Sequence, residues 1–403
     1  MREYRLSELY DNVSTNSLSR ALLYEDGDVL NLHYGDIHLK YSGLLDISKA
    51  ELPFALKTDY KFKESSRMET GDVIFADAAE DYDGIGKAVE IGQTVDTPSF
   101  AGLHTIHLKR RTDNLASGYM GYLSQAYAFR RKVWFIAQGA KVLGISSKEL
   151  LKQSIVIPNL SEQNTIVSRL KAVDQKINLL NKKKEALETY KKGLMQKIFS
   201  QELRFKREDG TDYPEWQHYI MGQLFENIST NSLSRALLYE NGDVLNLHYG
   251  DIHLKYSGLL DISKAELPFA LETDYKFKES SKMETGDVIF ADAAEDYEGI
   301  GKAVEIRQTG ATHSYAGLHT IHLKSKTEVL ASGYMGYLSQ TYAFRRKVWF
   351  IAQGAKVLGI SSKELLKQSV VVPKKEEQDK IVAVFSNLDA YLKKVSYSIQ
   401  STE

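Results

Sequence analysis

Four histidines, one acidic loop and one short glycine-lysine run are the residues in the first half of this sequence whose types and spacing could do chemistry. His33 with His38, and His104 with His107, sit close enough to suggest metal ligation. Neither pair has a third ligand at a convincing spacing, so hydrogen-bonded histidines on strands are the preferred reading. "ADAAEDYDG" (76–84) could gather a divalent ion, but it reads better as a solvated loop and lacks the lysine pattern of a nuclease. "GIGK" (84–87) has neither the upstream glycine nor the following Ser/Thr of a phosphate-binding loop. The six prolines are isolated, so the Asn-Pro-Pro-Tyr and Asp-Pro-Pro-Tyr motifs of amino-methyltransferases are absent. No Ser-His-Asp arrangement stands out. The sequence therefore predicts no catalytic site and no metal site.

The elements that carry these residues occur twice. "NSLSRALLYE" at 16–25 returns letter for letter at 231–240, and residues 14–158 align on 229–373 at a constant offset of 215 with sixteen differences. That period is far too long for a solenoid unit of about 20–50 residues. It is the size of a domain plus a connector, so the chain is a covalent pseudo-dimer. The differences cluster: "GQTVDTPSF" (92–100) faces "RQTGATHSY" (307–315), and "RRTDN" (110–114) faces "SKTEV" (325–329). Within one copy, "DVLNLHYGDIHLKY" (28–41) alternates as a strand whose parity flips at Gly35-Asp36, which predicts a bulge or a tight turn; a bulge would turn Asn31, His33, His38 and Lys40 to one polar face. "GDVIFADA" (71–78) and "AGLHTIHLK" (101–109) predict further strands. Residues 114–137 read as one helix, and "SSKELLKQS" (146–154) as a short helix capped by Ser146 or Ser147. Each unit is thus a mixed α/β domain.

Each copy is followed by an amphipathic run. After Pro158, with Ser161 as the expected N-cap, apolar residues fall at Ile166, Leu170, Val173, Ile177 and Leu180, then at Leu187, Leu194 and Ile198, a heptad seam interrupted at Lys184. About 38 residues would make a rod of roughly 57 Å. Ile381, Phe385, Leu388, Leu392, Val395 and Ile399 repeat the seam after copy two. A helix packed on its own domain would explain one such seam. Two related by a twofold axis predict an antiparallel, coiled-coil-like pair. Residues 161–207 hold twelve Lys or Arg against five Asp or Glu, within a chain whose net charge is −1. That balance argues against tight DNA binding by the chain alone. Cysteine is absent, which fits a reducing cytoplasm, and neither a signal peptide nor a membrane span is expected.

Several of these stretches carry a family resemblance. "KVLGISSKELLKQSIVIPNLSEQNTIVSRL", the long helix, "LRFKREDGTDYPEWQ" and the later "VVPKKEEQDKIV" resemble the specificity subunit of a type I restriction-modification system. "NLHYGDIHLKY", "GDVIFADAAEDYDGIGKAVEI" and "AGLHTIHL" are similar to one subtype of its target-recognition domain. The close identity of the two halves departs from the usual pattern. The resemblance implies target-recognition domains at 1–158 and, with a linker, 204–373. It implies spacer helices at 159–203 and 374–403, antiparallel and pseudo-twofold. It implies a non-catalytic subunit that reads a bipartite, palindromic or nearly palindromic site in double-stranded DNA. Two methyltransferase subunits with S-adenosylmethionine would join it, and two restriction subunits with ATP and Mg could follow. The chain itself would bind no cofactor. Candidate DNA contacts are Ser14, Asn16, Arg20, His33, Tyr34, Asp36, His38, Lys40, Gln138 and Lys141. Their mates are Ser229, Asn231, Arg235, His248, Tyr249, Asp251, His253, Lys255, Gln353 and Lys356. The "QGAK" segment is favoured, because similar segments precede the final helix in the family. The competing reading is a two-domain coiled-coil scaffold, or a restriction-modulating adaptor, without DNA preference.

Overall fold

A computed structural model describes residues 1–402. It divides into two units, Met1–Asn178 and one from Leu179 onward, with the boundary inside a single helix, Leu160–Phe199. Each unit is mixed α/β and has the same sheets. In the first, five strands lie in the order Tyr10–Val13, Thr105–Arg110, Val73–Ala76, Ala88–Gln93, Gly43–Asp46; only the last joins in parallel. The run "VIFA" (73–76) is apolar without alternation because both sheet faces are covered. Val73 and Phe75 belong to one core with Phe129 and Val133, whereas Ile74 and Ala76 belong to another with Leu32 and Ile37. A three-stranded sheet, Phe54–Ala55, Val29–Leu32 and Ser99–Ala101, closes the second core. Arg2–Arg5 pairs antiparallel with Ser154–Ile157, which fixes the chain start beside the root of the long helix.

Three sequence expectations are corrected. The strand expected over 28–41 ends at Leu32, and Tyr34–Leu39 is a helix. The parity flip marked a helix start: His33 Nδ1 accepts the Gly35 N–H at 3.2 Å, and the Asp36 carboxylate accepts the His33 N–H at 3.3 Å. Asn31 and His33 are consequently buried, so no shared polar face forms. The helix expected over 114–137 is two, Tyr119–Leu123 and Tyr127–Ile136. Gly118, at φ +94°, starts the first, and buried Glu90 accepts the N–H groups of Gly118 (2.6 Å) and Gly121 (2.9 Å). The strand expected over 101–109 is interrupted before Thr105, where His104 adopts φ +54°. The short helix Ser147–Leu151 forms as expected, with Ser146 Oγ accepting the Glu149 N–H.

The long helix is capped two residues earlier than expected. Asn159 Oδ1, not Ser161, accepts the Glu162 N–H at 3.0 Å. Its forty residues extend about 60 Å. Within the second unit its last turns run beside the helix Lys375–Gln400. Lys183 lies over the Tyr391 ring, Lys191 Nζ meets Asp389 Oδ1 at 2.5 Å, and Phe199 stacks on Phe385 at 6.3 Å. Rising numbers on one helix meet falling numbers on the other. The second helix also packs on its own domain, since Ile381, Val382 and Phe385 share a core with Tyr334 and Tyr337. Among the described residues no helix is long and apolar enough to cross a membrane.

Candidate functional site

A concavity of about 860 Å³ opens in the second unit, walled by Arg235, the helix at 249–254 with its flanks, the loop 293–302, His319 and Val357. The helix cap orders its floor. Arg235 Nη1 lies 3.1 Å from both oxygens of buried Asp251, and Asp251 also receives the His248 N–H at 3.2 Å. His253 Nε2 lies 3.0 Å from the Ala293 carbonyl, so that nitrogen carries the proton and donates. Tyr249 sits among three imidazoles, its ring centroid 4.5 Å from His248, 5.5 Å from His253 and 5.3 Å from His319. His319, at φ +55°, turns its Nδ1 to Asp292 Oδ1 at 3.2 Å. Lys302 Nζ caps the helix end at the His253 carbonyl, 3.2 Å away.

The "QGAK" loop joins this wall through the backbone. Gln353 and Gly359 exchange two backbone hydrogen bonds, and Leu358–Gly359 pairs with Ala293–Ala294. Gly354 lies at φ +130°, where an added Cβ would stand 1.9 Å from the Val357 carbonyl oxygen. The tight turn therefore needs glycine. It leaves Gln353 and Lys356 exposed at the rim.

The first unit repeats these contacts. Arg20 Nη1 lies 2.9 Å from both Asp36 oxygens, His38 Nε2 lies 3.0 Å from the Ala78 carbonyl, and His104 Nδ1 lies 3.2 Å from Asp77 Oδ1. A hollow of about 480 Å³ there is lined in part by Asp77, His104, Gln138 and Val142. Burial pushes the His33 and His248 imidazoles below their ordinary range. Each is neutral near pH 7, and since Nδ1 accepts from a backbone N–H, the proton sits on Nε2. Burial lifts the carboxyls of Asp77 and Asp292, against the pull of the neighbouring histidines.

The structure brings Arg235, His248, Tyr249, Asp251, His253 and Lys255 into one concavity with Val357 of the "QGAK" loop; Gln353 and Lys356 are not among its lining. In the first unit Arg20, His33, Tyr34, Asp36 and His38 repeat the contacts around the helix Tyr34–Leu39, and Gln138 lines a hollow with His104, on whose ring Tyr34 packs. Lys40 and Lys141 are exposed. The structure sets Ser14, Asn16, Ser229 and Asn231 apart. Asn16 and Asn231 are buried, each donating to a backbone carbonyl (Ala101 and Ala316, 2.9 Å). Ser14 and Ser229 meet Ser66 and Ser281 at 2.9 Å in separate small hollows. Sequence reading missed the Asp77–His104 pair as a wall element, having weighed His104 as a metal ligand or a hydrogen-bonded strand histidine without naming its partner. It also missed Leu39, 87% exposed at the helix end, and Val142 on the rim. No periodicity announces a positive φ at His104. Among the described residues no cluster of three or more His, Asp or Glu could hold a metal. The rim offers ammonium, amide, phenol and apolar groups, which suits recognition.

The sixteen differences between the copies avoid this wall almost entirely. Of the residues lining the larger concavity only Glu298 changes, to Asp83. The others gather elsewhere. Arg307 reaches Ser386 Oγ on the second helix at 3.0 Å, where copy one has Gly92 and, on its helix, Lys171. Arg110 bonds the carbonyls of Thr112 and Leu115, whereas Ser325 in its place reaches only the Thr327 carbonyl.

The family model described as "Type I restriction modification DNA specificity domain" matches residues 85–189. Two proteins of Methanocaldococcus jannaschii are similar. The putative type I restriction enzyme MjaX specificity subunit is 35% identical over 98 residues, 24% of this chain and 22% of that protein. The type I restriction enzyme MjaVIII specificity subunit is 25% identical over 141 residues, 34% of this chain and 32% of that protein. Over these stretches the chain is similar to type I specificity subunits. Its matches span under a third of these relatives' length. The fold extends the likeness. The type I restriction-modification S subunit of M. genitalium superposes with a TM-score of 0.53 at 13% identity, covering 100% of this chain and 92% of that one. A chain from a study of complex assembly and conformational transition of the type I R-M system gives 0.55 at 16% identity, with the same coverage.

Proposed function

We propose that the chain reads duplex DNA at two half-sites and performs no catalytic step itself. The observation that carries this reading is the sameness of the two walls, unchanged but for Asp83 and Glu298 while fifteen positions differ elsewhere. Duplex DNA is twofold symmetric, and a reader matched to it needs the same edge contacts twice. Exposed Gln138, Lys141 and Lys40, with Gln353, Lys356 and Lys255, supply donors and acceptors for base edges or phosphates. Leu39 and Val142 suit a thymine methyl. Arg20, His33 and Asp36, tied to one another's backbone and side chains, hold the helix that presents them. The antiparallel order of contacts within the second unit supports a coiled-coil-like, pseudo-twofold spacer that sets the distance between readers.

In this reading the specificity subunit seats two methyltransferase subunits, which bind S-adenosylmethionine and methylate adenine N6, and two restriction subunits with ATP and Mg can join them in the cytoplasm. The net charge of −1 supports this division, since partners would supply much of the phosphate grip. The test is to assemble the chain with its methyltransferase and map methylated adenines by single-molecule sequencing. A single bipartite motif is expected. Assembly without sequence preference would instead favour an interaction scaffold.

A further inference from the structure

At position 110 the first copy carries an arginine, and at the matching position 325 the second carries a serine. The Arg110 side chain is tied down. Its Nε donates to the Thr112 carbonyl at 2.8 Å and its Nη2 to the Leu115 carbonyl. It runs over Gly71, where an added Cβ would stand 2.6 Å from Arg110 Cδ. Burial raises the Glu90 carboxyl, and the nearby Arg110 charge offsets part of that rise. Copy one thus holds a guanidinium by two carbonyl oxygens near a buried carboxylate, which suits its planar fork of donors.

Copy two keeps that cradle without the arginine. Ser325 Oγ reaches only the Thr327 carbonyl, 3.0 Å away. A hollow of about 570 Å³ opens there, and Glu305, Gly286, Ser325, Thr327 and Leu330 stand in its wall. These are the mates of Glu90, Gly71, Arg110, Thr112 and Leu115. A Cβ built on Gly286 would meet nothing within 4 Å. Thr327 Oγ1 is buried and, among the described residues, has no hydrogen-bond partner. The bases nearby are engaged elsewhere. Lys326 Nζ donates to the Gly222 carbonyl at 2.7 Å, Lys375 Nζ lies 3.5 Å from Glu328, and Arg307 reaches Ser386. Glu305, 3% exposed, has no ion pair among the described residues. A buried carboxylate without a cation is costly, and a cation that brings its own hydrogen-bond donors offsets that cost.

We propose that this hollow binds the guanidinium group of a small guanidino compound, held as Arg110 is held in copy one. The planar cation lies between Glu305 and the carbonyls of Thr327 and Leu330, and its unbranched stem passes over Gly286. A primary ammonium has no planar fork to match those acceptors. The site exists in the second copy alone, because in the first the chain supplies the group itself.

The probe is propylguanidinium, the arginine side chain from Cβ outward, titrated into the full-length chain by isothermal titration calorimetry at pH 8 and constant ionic strength. At that pH Glu305 is ionised, since burial pushes its carboxyl up to about 7. Saturable binding to one site, with a Kd of about a millimolar, is expected. Butylammonium should bind about tenfold more weakly, and Glu305→Gln should weaken propylguanidinium by about tenfold. Ser325→Arg should abolish binding, and Arg110→Ser should open a second site and raise the stoichiometry to two. Each of these two variants gives one copy the residue that the other already holds, so both should fold as the parent does. A capped Gly-Arg-Gly tripeptide should bind more weakly than propylguanidinium; tighter binding would overturn the assignment to a small molecule and give the site to a protein's arginine. No saturable binding, equal binding of butylammonium, or a stoichiometry of one in both Ser325→Arg and Arg110→Ser would overturn the site itself.

Discussion

Replacing Glu305 with Gln should change how the second unit responds to pH. Glu305 lies in the strand Ala303–Gln308, is almost wholly buried, and accepts the backbone N–H groups of Gly333 and, at 2.8 Å, of Gly336. Burial outweighs those donors and raises its carboxyl from 4.5 to about 7. A folded-state pKa above the unfolded one means the folded unit holds the proton more tightly. The resulting stability is fully present below about pH 4.5 and is lost as pH rises through about 7. At 1.36 kcal/mol per pH unit the loss is about 3 kcal/mol, or roughly 6–12 °C in Tm for a domain of this size. Glutamine cannot ionise. Thermal melts of both proteins between pH 5 and 8 should show the wild type losing about 3 kcal/mol relative to Glu305→Gln. A difference that stays constant across that range would refute the reasoning, because the carboxylate would then be ionised throughout and held by its N–H donors. In copy one burial raises the Glu90 carboxyl too, but the nearby Arg110 offsets part of that rise, whereas Ser325 stands at the matching place. Glu90→Gln should therefore show a smaller pH effect.

Other outcomes follow from the differences between the copies. Thr341 caps the helix Tyr342–Ile351 through the Phe344 N–H, and Ala126 cannot do so; Thr341→Ala should cost, and Ala126→Thr should add, about 1 kcal/mol in chemical denaturation. Phe385→Ala should cost about 3–5 kcal/mol, while Leu170→Ala at the matching exposed position should cost under about 1 kcal/mol. Lys141→Ala and Lys356→Ala, read by DNA titration at several salt concentrations, should lower the ratio of specific to non-specific affinity if they touch bases. If they touch phosphates they should flatten the salt slope by about one unit each; an unchanged curve would remove them from the interface.

The sequence carried the architecture further than the site. Exact repetition needs no physical inference, and the seam from Ile166 to Ile198 showed its helix because its apolar residues recur at steps of three and four. The short cap Ser146–Glu149 was legible because its bonds are local. The turn at Tyr34 was not: a parity flip at Gly35-Asp36 serves a bulge and a helix start equally, and only the bond between Arg20 and Asp36, sixteen residues apart, fixes the second. The concavity depends on pairings such as Gly144 with Ala78, which no local pattern encodes. Asn16 was legible as a polar residue in a loop, but its burial under Ala101 comes from a strand 85 residues away.

The central claim is that two matching walls read two matching half-sites. The most direct measurement is the methylated motif of the chain assembled with its methyltransferase, determined genome-wide. The account predicts one half-site, an unread spacer of fixed length, and the reverse complement of that half-site, with at most one position differing. Adding one base pair to the spacer should abolish recognition, since it rotates one half-site by roughly 34° away from its reader. Two unrelated half-sites would contradict the account. The reading surface would then lie among the sixteen differing residues, not in the shared wall of Arg20, Tyr34, His38 and the Gln138–Lys141 loop.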